Sequence, residues 1–116
     1  MNSSGTHSSE IEIDCRSVRE KLASGADLFL LDCRERAEHE LVHLAEATLI
    51  PMGEIPARIA ELEQHRDREI VVFCHLGVRS FDVARWLREQ GFASAKSMTG
   101  GIEQWARDID PTLPRY

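Results

Sequence analysis

The chain has 116 residues, 42% of them hydrophobic and 29% charged, which suits one compact globular domain and leaves too little chain for two ordinary ones. A formal net charge of −6, from 14 Lys and Arg against 20 Asp and Glu, argues against a nucleic-acid footprint, which needs clustered cations. No apolar stretch approaches the roughly 18 residues of a membrane helix, and the 3 cysteines, Cys15, Cys33 and Cys74, are widely spaced without a CxxC pair, which fits neither a disulfide framework nor a zinc site.

Residues 1–9 are polar and rich in Ser and read as a disordered tip, with a single domain over 10–116. The same stretch lacks the basic region and apolar core of a secretory signal, which points to a cytoplasmic protein. Residues 11–13 alternate apolar and polar as a short strand does, and Asp14 is placed to cap a helix from Cys15 to Ala23 whose buried stripe is Val18 and Leu22. Ser24-Gly25-Ala26-Asp27 stops that helix. Leu28-Phe29-Leu30-Leu31 is a continuous apolar run, the mark of a strand covered on both faces.

The charged stretch Arg34 to Glu40 starts a short helix, and Ala47 to Ile50 reads as a weak strand closed by Pro51. Ile55, Ile59 and Leu62 recur at helical spacing, which predicts a helix ending near His65 with Pro56 in its first turn. Ile70-Val71-Val72-Phe73 is the most strand-like segment. A helix follows, with Phe81, Ala84 and Leu87 as its apolar stripe, widened by Val83 and Trp86, and with Arg85 and Arg88 toward solvent, stopping at Gly91. Ala95 to Met98 is a last short strand, Gly100-Gly101 a turn, and Ile102 to Ile109 a final helix. Strands alternating with helices predict an α/β domain of three layers, a mostly parallel sheet of about five strands with helices on both faces.

Ligands of such sheets bind beyond the carboxyl ends of the strands. The place where a very apolar strand runs into a polar, Gly-containing loop and then a helix is Cys74-His75-Leu76-Gly77-Val78-Arg79-Ser80. A cysteine there meets unpaired backbone N–H groups and the positive end of a helix dipole, which lower a thiol from its free value of about 8.5 and give a nucleophile at neutral pH. Gly77 lets the loop curl so that its N–H groups point inward, Arg79 adds a cation able to fork onto an oxyanion, and Ser80 is placed to cap the helix that follows. Cys15 and Cys33 have no such context and read as small buried apolar residues.

This loop resembles the active-site loop of the rhodanese family. Leu30-Leu31-Asp32-Cys33-Arg34-Glu35 is similar to that family's strand ending in Asp-x-Arg-Glu, and His43-Leu44 through Ala47 to Ile50-Pro51 to its His-Ile-x-x-Ala-x-x-Ile-Pro segment. Ala84, Leu87, Gly91-Phe92, Gly100-Gly101 and Trp105 follow the closing pattern in order and spacing, so the likeness covers about residues 10 to 110. Departures are Val42, Ala45 and Glu46 where Gly, Pro and Gly are frequent, His39 in place of an aromatic, and the apolar Leu76 on the loop rim.

The resemblance implies a rhodanese-like fold, thiosulfate or a persulfide as sulfur donor, a Cys74 persulfide, and transfer to cyanide or a thiol acceptor, with no cofactor or metal. It makes Cys74 and Arg79 catalytic, places His75, Leu76, Gly77, Val78 and Ser80 around the substrate, and sets Asp32 and Arg34 beside the loop in support, bonding its backbone or pairing with Glu35 or Glu38. His75 is expected to face solvent, and His43 to serve as a structural hydrogen-bonding residue. The family resemblance implies a small anionic donor and a thiol or sulfur-carrier protein acceptor as partners, while charge and hydropathy point to neither nucleic acid nor membrane. The polar, Pro-interrupted tail from Asp108 to Tyr116 resembles the ending of rhodanese domains fused to enzymes that activate ubiquitin-like sulfur carriers, which implies a thiocarboxylate-forming partner. Two other readings stay open: a phosphatase, whose loop on this fold has five residues between Cys and Arg rather than the four here, and a regulatory or redox-sensing module without catalysis.

Overall fold

The computed structural model describes residues 11–116, and the expected tip at 1–9 lies outside them. Five strands, β1 (Glu12–Ile13), β2 (Leu28–Asp32), β3 (Thr48–Leu49), β4 (Glu69–Phe73) and β5 (Ala95–Met98), form one sheet in the order β1-β5-β4-β2-β3. Every pairing is parallel. The two long central strands, β2 and β4, run in register from Leu28 opposite Glu69 to Asp32 opposite Phe73.

Period-two alternation divides the core into two layers. Ile70 and Val72 of β4 face a cluster with Leu31, Ile55, Leu62, Val83, Ala84 and Leu87, while Val71 and Phe73 face one with Cys15, Val18, Leu30, Ile102 and Trp105. Both layers are apolar, as suits parallel strands buried on two faces. The helices α1 (Cys15–Ala23) and α4 (Gly101–Asp108) cover the second face, and α3 (Val78–Glu89) covers the first. The remaining short helix is α2 (Arg36–Leu41), which follows β2.

Asp14 caps α1 as the sequence predicts, its carboxylate accepting from the Ser17 N–H at 2.8 Å. Val18 is fully buried and Leu22 only half so. The helix expected through Ile55 and Leu62 is instead two 3-10 segments, Met52–Glu54 and Ile59–His65. The Arg58 N–H is shared between the Glu54 and Ile55 carbonyls, and beyond it the i→i−3 pattern takes over, so a single α-type bond is not extended into a ladder. Ile55 and Leu62 are still buried as the spacing predicts. Arg88 does not face open solvent: it is half-buried, and its Nε donates to the Ala95 carbonyl at 2.7 Å. Among the described residues no helix is long and apolar enough to cross a membrane.

Candidate active site

Cys74 is the first residue after β4, and its chain turns at His75-Leu76-Gly77 into α3. Gly77 is in the left-handed region at φ 103°, and a Cβ there would stand 3.1 Å from the Gly100 backbone nitrogen. The next turn over presses against the loop as well. The N–H groups of Ile102 and Glu103, at the start of α4, donate to the carbonyls of Cys74 (2.9 Å) and His75 (3.1 Å). Gly101 must be glycine for that approach, since a Cβ would sit 2.4 Å from the His75 oxygen and 2.5 Å from that of Cys74. The Gly100-Gly101 turn therefore fixes the back of the loop while Gly77 shapes its front.

The result is a nest around one sulfur. The Gly77 N–H donates to Cys74 Sγ at 3.2 Å and the Ser80 N–H at 3.3 Å, while the Ser80 hydroxyl lies 3.4 Å away. Ser97 on β5 holds that hydroxyl at 2.8 Å. All of this is shielded: Cys74, Ser80 and Ser97 are each at most 1% exposed. The Cys74 thiol is pulled down to about 4, first by the Cys33 thiol facing it, against the opposing effect of burial, and then by the Ser80 hydroxyl and the Ser80 and Gly77 N–H groups. At neutral pH the sulfur is a thiolate, and the Ser80 hydroxyl donates to it.

Ser80 thus has a different task from the cap the sequence suggests. The N-cap of α3 is Gly77, and Ser80 lies in the first turn, where its own N–H and hydroxyl both reach the sulfur. Arg79 is in that turn too, but its guanidinium is forked onto the Glu38 carboxylate of α2, at 2.7 and 2.9 Å. This pair holds Glu38 down to about 2. The negative sulfur of Cys74 in turn contributes to raising Arg79 above its ordinary value, behind the larger effect of Glu38. Arg79 is therefore a cation beside the nest, with its fork occupied.

Asp32 and Arg34 lie behind the loop as a fully buried pair. Both Asp32 oxygens are used, by the Arg34 N–H and Nε at 3.0 Å each and by Nη2 at 2.8 Å. Arg34 also donates to the carbonyls of Glu38 (3.2 Å) and Val42 (2.7 Å) and to the Tyr116 hydroxyl (3.0 Å). The expected pairing of this couple with the carboxylates of Glu35 or Glu38, or with the loop backbone, is replaced by pairing with each other, because a guanidinium without solvent needs the nearest buried anion. The pair closes the turn that carries α2, and so positions Glu38.

His75 does not face solvent freely: it is half-buried with its ring stacked on Tyr116, centroids 4.0 Å apart and 12° between planes, and its Nε2 has no hydrogen-bond partner among the described residues. Leu76 and Val78 are 58% and 71% exposed, an apolar rim at the mouth of the loop. His43 is exposed, its ring stacked on that of His39 with centroids 4.5 Å apart and its Nδ1 3.3 Å from the His39 carbonyl. Three participants were not expected from the sequence. Ser97 and Tyr116 are distant in the chain from the groups they bond, and Cys33, buried as read, turns out to lie against Cys74. Among the described residues no cluster of His, Cys, Asp and Glu could hold a metal ion.

Residues 14–108 match the family model of the rhodanese-like domain. A protein of Allochromatium vinosum named sulfurtransferase is 36% identical over 96 residues, covering 83% of this chain and 88% of its own. MoeZ of Mycobacterium tuberculosis, named a probable adenylyltransferase/sulfurtransferase, is 35% identical over 101 residues, 87% of this chain but only 26% of that much longer protein. Among solved structures, a rhodanese-related protein of Thermoplasma volcanium superposes with a TM-score of 0.77 at 26% identity, covering 90% of this chain and 98% of the other.

Proposed function

The chain belongs to the rhodanese-like domain family, and we propose that it is a sulfurtransferase that carries a sulfane sulfur on Cys74 as a persulfide. The observation behind this reading is the nest: a buried thiolate with two backbone N–H groups and a hydroxyl converging on it. The donor is a small anion such as thiosulfate, or a persulfide. The Cys74 thiolate attacks the outer sulfur, the S–S bond of the donor breaks, and sulfite (or the donor's thiolate) leaves with the electron pair.

The outer sulfur of the new Cys74 persulfide carries the negative charge, and the Gly77 and Ser80 N–H groups of the nest with the nearby Arg79 cation stabilise it. An acceptor thiolate or cyanide then attacks that outer sulfur and Cys74 leaves again as a thiolate. A low pKa suits this second step, because a stable thiolate is a good leaving group, at the cost of some nucleophilicity in the first. Arg79 bridges to the departing sulfite only by loosening its fork on Glu38, so Glu38 tunes donor binding. Asp32 and Arg34 hold α2 and Glu38 in place.

The exposed apolar rim of Leu76 and Val78 fits a protein acceptor better than a free ion. A Bacillus subtilis relative named putative sulfur carrier protein, 34% identical over 110 residues, supports a sulfur-carrier protein in that role. We take residues 10–116 as one domain working in the reducing cytoplasm, in keeping with Cys15, Cys33 and Cys74 being free thiols in the structure. The test is steady-state sulfur transfer from thiosulfate to cyanide beside hydrolysis of an aryl phosphate. Transfer that disappears in Cys74→Ser while the variant stays folded is the expected result; phosphate hydrolysis without sulfur transfer would assign the loop to a phosphatase.

A further inference from the structure

Cys33 is one residue past the end of β2 and Cys74 one past the end of β4, on adjacent parallel strands whose last paired residues are Asp32 and Phe73. The ladder continues between them, with the Cys33 N–H donating to the Phe73 carbonyl at 3.0 Å. Side chains alternate along both strands, so Cys33 and Cys74 emerge on one face, and both belong to the cluster with Leu31, Ile70 and Val72. Neighbouring strands are about 4.8 Å apart and disulfides join Cα atoms about 4.4–6.8 Å apart, so the spacing of the two strands is within disulfide reach. Cys15 cannot take this part, since it is buried in the opposite layer, its sulfur directed at the Thr99 and Gly101 carbonyls.

We propose that Cys33 is a resolving thiol for Cys74, closing a reversible Cys33–Cys74 disulfide when Cys74 is oxidised. The chemistry balances with hydrogen peroxide as oxidant. The Cys74 thiolate attacks one peroxide oxygen, the O–O bond breaks, and with one proton taken up the products are the Cys74 sulfenic acid and water. The Cys33 sulfur then attacks the Cys74 sulfur, the S–O bond breaks, and the hydroxide leaves with the Cys33 proton as a second water. A dithiol reductant reopens the bond by exchange.

The two thiols are unequal in the way this sequence of steps needs. Cys74 is the thiolate and is oxidised first, while Cys33 is held protonated, raised by Cys74 itself and by burial. Closing the bond removes the nucleophile from use and spares it from the irreversible sulfinic and sulfonic acids. The inference holds whether or not Cys74 carries sulfur.

The experiment treats the reduced full chain with hydrogen peroxide, alkylates it under denaturing conditions and reads intact and peptide masses, for the wild type and Cys33→Ala. The expected wild type loses about 2 Da, alkylates only at Cys15, yields a peptide pair joining Cys33 to Cys74, and regains all three thiols with dithiothreitol. Cys33→Ala is expected to gain oxygen at Cys74 irreversibly; Cys33→Val, closer in shape to the native side chain, replaces it if the alanine variant is unfolded. The proposal is overturned if wild type and variant gain oxygen at Cys74 at the same rate, if Cys74 pairs with Cys15 or another chain, or if peroxide consumes no wild-type thiol.

Discussion

Ser80→Ala isolates one of the groups that make Cys74 a thiolate. The substitution deletes the hydroxyl 3.4 Å from the sulfur and leaves the Ser80 N–H in place. A hydrogen bond to an ionised group contributes about 1.5–3 kcal/mol, and one pKa unit corresponds to about 1.4 kcal/mol, so the thiol should rise by about 1–2 units. From about 4 this leaves Cys74 still ionised at neutral pH. Turnover at pH 7 should therefore change little through ionisation, and the effect belongs in the acid limb.

The assay is the rate of Cys74 alkylation by iodoacetamide across pH, read on the Cys74 peptide with those of Cys15 and Cys33 followed separately. Near pH 5 the wild type should sit on its plateau while Ser80→Ala has fallen several-fold. The variant also strands the Ser97 hydroxyl, which is buried and loses its 2.8 Å partner, at about 1–3 kcal/mol of stability. Adding Ser97→Ala should recover that stability without restoring the alkylation profile. A Ser80→Ala profile that overlies the wild type would refute the assignment of the hydroxyl to the thiolate.

Other outcomes follow from the same geometry. Cys74 ionises at about 4 in the folded chain against an ordinary 9.0, so its share of stability is complete above the higher value and drains away as pH falls through the lower. Denaturant melts should show the wild type gaining on Cys74→Ser as pH rises between those values, and a pH-independent difference would contradict the depressed thiol. Asp32→Ala leaves Arg34 buried without its anion, which costs about 3–5 kcal/mol, much of a small domain's stability, and should appear as a large fall in Tm. Gly101→Ala drives a methyl into the Cys74 and His75 carbonyls at a positive φ. It should destabilise by about 1–3 kcal/mol and lower Cys74 alkylation even in the fraction that stays folded; normal reactivity would show that the loop does not depend on that turn.

Much of the fold was legible because parallel strands buried on both faces leave apolar runs such as Leu28–Leu31 and Ile70–Phe73, and because Asp14 is a plain cap. The stretch from Met52 to His65 carried a helical period that the structure honours in burial but not in hydrogen bonding, where i→i−3 bonds replace the α ladder in two 3-10 segments. The nest was legible from Cys74, Gly77 and Ser80, close in sequence and geared to one turn. What lay beyond reading were pairings between distant segments. Glu38 meets Arg79 across 41 residues, and Tyr116 reaches Arg34 across 82. Cys33 faces Cys74 only once β2 and β4 pair in a definite register, which hydrophobic pattern alone does not supply. Ser80 looked like a cap because its spacing from the loop allows either role, and only the position of Gly77 decides it.

The central claim, that Cys74 accepts a transferable sulfur, is tested most directly by the intact mass of the reduced protein after incubation with thiosulfate, before and after cyanide, in the wild type and Cys74→Ser. The account predicts a gain of one sulfur atom that cyanide removes and that the variant never shows. A wild type that takes up no sulfur, or a Cys74→Ser chain that takes up as much, would contradict it.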